Sequence, residues 1–585
     1  MKKTFAVIIA GTVFLSMLWA LAPMVRAEGP VQVYIGSDGS VAPSFAPVSS
    51  RDNVTYTFTG NISYPTFNGI VVERNDIVID GNGDTVQGNQ GGSGLSLTNI
   101  SNVTIKNINI KGFVFGIYLS SSDNNTISGN TATANALARP LPPTAYPHVS
   151  AAGIFLDSSS YDTISGNNAK ANTGDGIELW SSSNNTVSGN NATANGDGIV
   201  VGMSSNNNTV SENTITANGL DGIDLMFSSY NTVVGNNVTG NAYNGIYLDE
   251  SSNNTVRGND AASNKGDGVE LWGSSGNILR RNSMVGNAYA FGVSGEGPSD
   301  FVNDVDVSNT VDGKSVYYWV GEHSKKVPVD AGCVILVNCS GMTIQNMNLT
   351  GDENGILLAY TTNSIVTRNN VTDSDWGILL AGSSDNTVSR NAATGNNDGI
   401  IVSSSDNNTV SGNTAKANSN AGIDLSESSS NNLISGNNGT ANGNCIIVSS
   451  SDNNTVSGNI GTGNSYSGIF LIGSSHNIVL GNTATANGAE GLDIVYSSYN
   501  TVSGNNATAN GQHGILLSSS PNNTVIGNDA SANNCGICLE QEPMLLSTSS
   551  WNIIIANTIE KNNIGLQQIE EHTSELQSHL NVVCR

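Results

Sequence analysis

A glycine followed by an apolar–x–apolar triplet recurs through most of this chain at a nearly fixed interval. The glycines fall at Gly69, Gly94 and Gly116, then run from Gly153 through Gly176, Gly198, Gly222, Gly245 and Gly268 to Gly292. They resume at Gly355, Gly377, Gly399 and Gly422; Cys445 takes the next place, and Gly468, Gly491, Gly514 and Gly536 follow. Most intervals are 22 to 24 residues. Disorder has no reason to keep such a period, whatever the abundance of Asn, Ser and Gly suggests. The period predicts a solenoid, in which each repeat packs only on its neighbours.

The contents of one repeat narrow the choice. The leucine-rich series L-x-x-L-x-L-x-x-N is absent, although its length would fit. In Gly176–Trp180 (GIELW), Ile177 and Leu179 alternate with Glu178, so the two aliphatic residues are expected to face in and the glutamate out. In Asn185–Asn190 (NTVSGN), Val187 is the inward residue, and the NATAN run supplies a third short strand. Gly and Asn suit corners because both tolerate left-handed backbone angles, and Asn stacked on Asn bonds amide to amide along the axis. The expected fold is all-β: a right-handed parallel β-helix of about 20 coils with 22–24-residue repeats, about 100 Å long at roughly 4.8 Å per coil.

Departures from the period set the expected boundaries. Residues 1–27 carry Lys2 and Lys3, an apolar run and small residues at Val25 and Ala27, the pattern of a secretory signal cut after Ala27. No second apolar run of spanning length follows, so an exported mature chain without a membrane span is expected, in the periplasm, at the cell surface or outside the cell. Residues 28–60 lack the repeat and are read as an N-terminal cap. Coils are expected over 61–294, with a Pro-rich loop at 135–150, and over 340–569. An insertion at 295–339 carries Tyr317, Tyr318, Trp319, Lys325 and Lys326. Residues 570–585 abandon the repeat, resemble a translated sequencing-library adapter, and are left out of the fold.

Charge excludes some partners. Only 12% of residues are charged and the net charge is −26. A chain this poor in Lys and Arg has no footprint for nucleic-acid phosphates and no basic face for anionic lipid. About eighteen N-x-S/T sequons, among them those at Asn53, Asn184 and Asn453, fall on expected surface turns.

The strongest positional signal is an acidic and aromatic stripe. The slot after each G-I holds Glu178, Asp224, Tyr247 and Glu270; the slot before each glycine holds Asp175, Asp197, Asp221 and Asp267; Trp180 and Trp272 follow. Carboxylates in rows beside aromatics suit a polysaccharide, with rings stacking on sugars and carboxylates taking hydroxyls. The same rows present the oxygen ligands that Ca2+ takes, and a solvated acidic face that resists aggregation is the structural alternative. A second signal is basic: Arg257 and Arg280 share one slot on successive coils, and Arg281, Arg368 and Arg390 replace the glycine of VSGN. Guanidinium forks there would take an anionic glycan, or would simply balance an acidic rod.

The six cysteines form no disulfide framework. Cys535 and Cys538 make a CxxC whose side chains, on a regular strand, point to opposite faces, which suits neither a redox pair nor a metal knuckle; they are read as structural thiols. No catalytic set of polysaccharide-cleaving β-helices is complete. GQHG stands at Gly511–Gly514 without N-T-D or R-I-K, and Tyr146–His148 echoes a D-P-H motif without its aspartate.

The coil series, together with Asn309–His323 (NTVDGKSVYYWVGEH) and DNVTYTFTGNI, resembles exported right-handed β-helix proteins of the NosD type. That resemblance covers roughly 31–569. It implies a β-helix within a wider set of carbohydrate-binding and sugar-hydrolase proteins, and a copper connection for members that serve nitrous oxide reductase. Copper favours clustered Met, Cys and His, whereas His148, His323, His476 and His513 are scattered in the sequence, so copper is disfavoured. The reading that follows is a non-catalytic exported rod that binds glycans or other surface partners, with a polysaccharide-active enzyme as the rival and no cofactor assured.

Overall fold

The computed structural model describes residues 32–63, 68–137, 151–540, 549–568 and the backbone of 581–583. The signal segment 1–27, most of the Pro-rich loop and most of the tail lie outside the described residues. Of the tail, the backbone of Asn581–Val583 pairs in parallel with Ile553–Ile555.

Each coil of the solenoid contributes three short strands, as in Ile177–Trp180, Thr186–Ser188 and Asn191–Thr193. Like strands of successive coils pair in parallel with no slip: Ile177 with Ile199, Val187 with Val210, Ala192 with Ile215. About 20 turns of roughly 23 residues result, with no helix among the described residues. Ile177, Leu179, Val187 and Ala192 are fully buried, so a few aliphatic side chains per coil build a core that runs along the axis.

The polar filler does more than line corners. Asn185, Asn190 and Asn195 are buried, as is Ser182. Each asparagine amide closes a circuit with its neighbours. Asn190 donates its backbone N–H (2.9 Å) and its Nδ2 (3.0 Å) to Oδ1 of Asn213, and Nδ2 also donates to the carbonyl of Ile164 at 2.9 Å. The left-handed residues are the ones just before each ladder asparagine: Asn184 (φ 60), Gly189 (φ 61) and Ala194 (φ 56). The expected amide stacking is thus present, but inside the coil, and the backbone tolerance is needed one residue earlier.

The periodic glycine answers to close approach. A Cβ on Gly176 would sit 2.5 Å from the Gly198 carbonyl and 2.8 Å from Asn195 Nδ2. Cys445 occupies this slot because space is cleared for it. Gly439 and Gly461 stand in register with Ala415 and Ala484 of adjoining coils, and a Cβ at Gly439 would lie 2.3 Å from the Cys445 sulfur.

The ends differ from the middle. Val33–Ile35 already belongs to the first sheet, and that sheet terminates on a reversed strand, Val41–Ala42. The second sheet terminates likewise on Val48–Ser50, antiparallel to Thr55–Phe58. Short reversed strands blunt an edge that would otherwise invite pairing with another chain.

The column is also not continuous. The third sheet ends at Thr310–Val311, which turns back in a hairpin onto Lys314–Val320, and this strand starts the first sheet of a second stack by pairing in parallel with Cys333–Val337. The opening strands of that stack are apolar on both faces. Leu336 and Leu358 enter the second core, while Ile335, Leu357, Leu379 and Ile401 join the first core with Phe291 and Phe301. The aliphatic residues in the outward slot of these coils are therefore junction residues.

Replacing Asn213 by alanine should lower stability by on the order of 3 kcal/mol, because the Asn190 N–H and the Val187 carbonyl lose their side-chain partner together. Asn184→Gly, at an exposed left-handed corner, should stay within about 0.5 kcal/mol. Urea midpoints of the two variants check this; equal shifts would contradict the ladder's role.

Candidate functional site

The glycine–aliphatic step changes which residues share a face. In x-G-I-x the chain bends at the glycine, so that the residue before it and the residue after the isoleucine both lie on the outer side. Asp175 and Glu178 are close enough to act electrostatically on each other. Three rows of side chains then run along the first sheet. Before the glycine stand Phe115, Ala152, Asp175, Asp197, Asp221, Asn244, Asp267 and Tyr289. After the isoleucine stand Tyr118, Phe155, Glu178, Val200, Asp224, Tyr247, Glu270 and Gly292. The third row holds Asp157, Trp180, Met226, Asp249 and Trp272. Together they form a three-row strip, the trough, on the outer face of the first sheet, about 34 Å long at roughly 4.8 Å per coil.

The alternative of a fully solvated acidic face does not describe these side chains. Glu178 is 2% exposed and Asp175 8%, while Asp197, Asp221, Asp224 and Glu270 are half-buried. They face outward, but Phe155 and Val200 flank Glu178 in the same row. The row before the glycine has a structural duty as well. Its side chains accept the backbone N–H of the next coil: Asp221 N–H to Asp197 (2.7 Å), Asn244 N–H to Asp221 (2.7 Å), Asp267 N–H to Asn244 (2.7 Å). Asn244 Nδ2 in turn donates to Glu270 at 2.7 Å.

Burial holds the carboxyls above their ordinary range. Loss of water raises Asp221 to about 6 and Glu270 to about 7, the latter with Asp221 adding to the effect. Glu178 and Asp224 are pushed well up by burial and then by neighbouring carboxylates. Asp197 rises for the same reasons, with Asp175 and Asp221 beside it. At neutral pH several of these groups keep their proton, so they donate as well as accept hydrogen bonds.

Aromatic rings occupy one end of the trough. Phe115, Tyr118 and Phe155 cluster with centroids 5.0 to 5.5 Å apart, and Tyr118 donates to Asp157 at 3.3 Å. Sequence reading passed over this cluster, although its residues hold the same slots as Asp175 and Glu178. At the other end Tyr289 and Asp375 line a depression of 610 Å3 where the two stacks meet. Asp267 belongs to that junction. A Cβ on Gly292 would lie 3.2 Å from Asp267 Oδ1 and 1.7 Å from Glu353 Oε2, so the two carboxyls crowd one point; burial and their mutual repulsion raise Asp267 far above the carboxylate range.

The basic residues do not join the trough. Arg257 and Arg280 are register partners as expected, but on the second sheet. Arg280 is held by Asp306 at 3.1 Å and by Asp304 at 2.5 Å. Arg281, Arg368 and Arg390 take the left-handed corner of the glycine they replace, with φ of 55, 56 and 57, and their side chains are exposed. In the insertion, Tyr317 and Trp319 meet edge to face at 5.9 Å, and Lys325 lies 5.6 Å over the Trp319 ring.

The reading of CGIC is also corrected. Cys535 and Cys538 flank a G-I step, so they lie on one side and pack with Leu516. His513 of the preceding coil is the register partner of Cys535.

Parallel coils, a shared aliphatic core and internal amide ladders define a right-handed β-helix protein. Residues 48–215 match a family model described as a right-handed β-helix region. Residues 198–319, 305–467 and 460–578 match the model described as "Periplasmic copper-binding protein (NosD)", and the chain belongs to the NosD family. No curated protein matches it significantly. Among solved structures it is similar to the periplasmic alginate epimerase AlgG, at 15% identity over 59% of this chain and 79% of that one, with a TM-score of 0.31. It is similar to the tailspike of E. coli bacteriophage HK620, solved with a pentasaccharide, at 12% identity over 53% and 64%, TM-score 0.32. The Dettilon tailspike matches at 15% identity over 53% and 58%, TM-score 0.32.

The family description implies copper. Among the described residues, ligand atoms of His513, Cys538 and Glu540 come within 4.8 Å of one another, and Cys535, the register partner of His513, packs with Cys538. A thiol-seeking ion such as copper would be held there by the Cys538 sulfur and the His513 ring nitrogen, with the Cys535 sulfur next to them. No helix among the described residues is long and apolar enough to cross a membrane.

The buried carboxyls fix the sign of a pH effect. Glu178, Asp197, Asp221, Asp224, Asp267 and Glu270 have native pKa values above their unfolded ones, so the native chain binds more protons between about pH 4 and pH 8, and stability falls as pH rises through that window. The melting temperature should drop by about 5 °C or more from pH 5 to pH 8. Glu353→Gln with Asp267→Asn should flatten the slope; a stability that rises with pH would contradict the burial of these acids.

Proposed function

We propose that this chain is an exported, non-catalytic β-helix that binds a glycan along the trough of its first sheet. One observation carries the reading. A strip about 34 Å long on the outer face of the first sheet combines half-buried carboxyls, kept partly protonated, with aromatic rings at its head and tryptophans along one side. Sugars need hydrogen-bond partners of both senses and flat apolar surfaces, and the trough offers both. Its charge argues for neutral or amino sugars. A polyuronate would meet carboxyls of its own sign and would need divalent cations to bridge the two.

Cleavage is the second reading, and Glu270 favours it. A carboxyl held near 7 beside ionisable Asp221 and Asp249 has the acid and base character that glycoside hydrolysis uses. Hydrolysis requires in addition that the two groups flank one bond.

A glycan array probed with the full-length chain should show binding to neutral or amino-sugar oligosaccharides. Trp180→Ala should weaken that binding about tenfold, and binding should weaken from pH 5.5 to pH 8.5 as the trough ionises and holds water more tightly. Release of reducing ends that Glu270→Gln abolishes would overturn the non-catalytic reading. Binding to no glycan at either pH would overturn both.

A further inference from the structure

Two motifs that the trough does not use, Gly511–Gly514 (GQHG) and Cys535–Cys538 (CGIC), meet on adjacent coils near the C-terminal end of the second stack. His513 pairs in register with Cys535, Leu516 with Cys538, and Ser518 with Glu540. Both sulfurs are buried, Cys535 at 1% exposure and Cys538 at 0%. The His513 ring is held from both sides. Nδ1 lies 3.2 Å from Glu490 Oε1, and the Ser467 hydroxyl donates to Glu490 Oε2 at 3.2 Å. Nε2 faces Glu540 Oε1 at 3.9 Å. Ligand atoms of His513, Cys538 and Glu540 all lie within 4.8 Å of one another. Nearby Asp493, in the slot before Leu516 and Cys538, keeps a buried Oδ1 without a hydrogen-bond partner.

We propose that His513 Nε2, the Cys535 and Cys538 sulfurs and a Glu540 oxygen bind one Zn2+ ion. Two thiolates, an imidazole and a carboxylate make a closed tetrahedral set of the kind structural zinc takes. Zinc–ligand bonds of about 2.0–2.3 Å place ligand atoms about 3.3–3.8 Å apart, so His513, Cys538 and Glu540, already within 4.8 Å of one another, need to close by only about 1 Å, and Cys535, which packs beside Cys538, turns in as the fourth ligand. Glu490 is then the outer carboxylate that fixes the histidine tautomer, with Nδ1–H donating to it. The thiols give up their protons to solvent on binding, and the dication relieves the negative charge of Glu490, Asp493 and Glu540. The hard carboxylate selects Zn2+ over Cu(I), which prefers sulfur alone. The ion would tie the coil of His513 to the coil of Cys538.

The test uses the full-length chain, free of any affinity tag and with its thiols reduced. Competition with a chromophoric chelator should give one Zn2+ per chain, and the Co2+-loaded protein should show thiolate-to-metal charge-transfer absorption. Cys535→Ser with Cys538→Ser should abolish that absorption and weaken Zn2+ at least 100-fold, as should His513→Ala, while Glu490→Gln should weaken it about 10- to 100-fold. If the variants do not fold, the wild-type Co2+ spectrum decides alone, and absence of sulfur-to-metal absorption overturns the proposal. So does a site that binds Cu(I) but not Zn2+ in the same competition, a Cys535–Cys538 disulfide with Zn2+ binding unchanged, or Zn2+ binding that the cysteine variant leaves intact.

Discussion

A buried asparagine amide that only the next coil can satisfy is the constraint on which this structure rests. An unpartnered amide inside a protein costs about 1–3 kcal/mol, and each coil buries about three. The circuit closes only if the next coil places its own asparagine at the same height, as Asn213 does for Asn190 and Asn236 for Asn213. Length is therefore fixed between ladder positions, and additions must leave the coil outside them. The first stack ends where the circuit ends: Asn309 accepts from Asn282, but its own N–H turns back to Asp306, and the chain enters its hairpin. A second ladder begins at Asn369, whose Oδ1 accepts the Met347 N–H and whose own N–H goes to Asn391.

That internal order leaves most of the outer face of the first sheet free to vary, apart from the row before the glycine, whose side chains take backbone N–H groups of the next coil. The glycine–aliphatic step gathers two residues per coil onto that face and a third follows, so a substitution in one coil alters one rung of a trough and nothing in the core. Aromatic rungs at Tyr118 and Phe155, acidic rungs at Glu178, Asp224 and Glu270, and a thiol rung at Cys538 are variations on one frame. The proposed glycan contact and the proposed metal site would draw on the same device in different coils. Because the rungs pack on one another, their carboxyls lose water and keep protons that a free surface acid would shed.

Much of this was legible in the sequence. The period gave the solenoid, and alternation in GIELW placed Ile177 and Leu179 inside. Three features were not legible. Asn185 and Ser182 look like surface residues by type, and only the match of their spacing with the coil length lets them be buried with partners. Asp175 and Glu178, or Cys535 and Cys538, lie three apart, which on a flat strand means opposite faces; the bend at glycine reverses that. The break after Val293 looks like one extruded loop, because a hairpin that starts a second stack keeps the same residue types. The outward aliphatics Leu379 and Ile401 were its trace: they cover the first core.

Hydrogen exchange of the native chain, read peptide by peptide by mass spectrometry, tests the central claim most directly. If neighbouring coils complete one another, the backbone N–H groups of Asn190, Asn213, Asn236 and Asn259 exchange slowest and as one cooperative block, and protection falls only toward the ends and the hairpin at 310–320. Fast exchange at those asparagines, or protection divided into separate blocks of a coil or two, would contradict it.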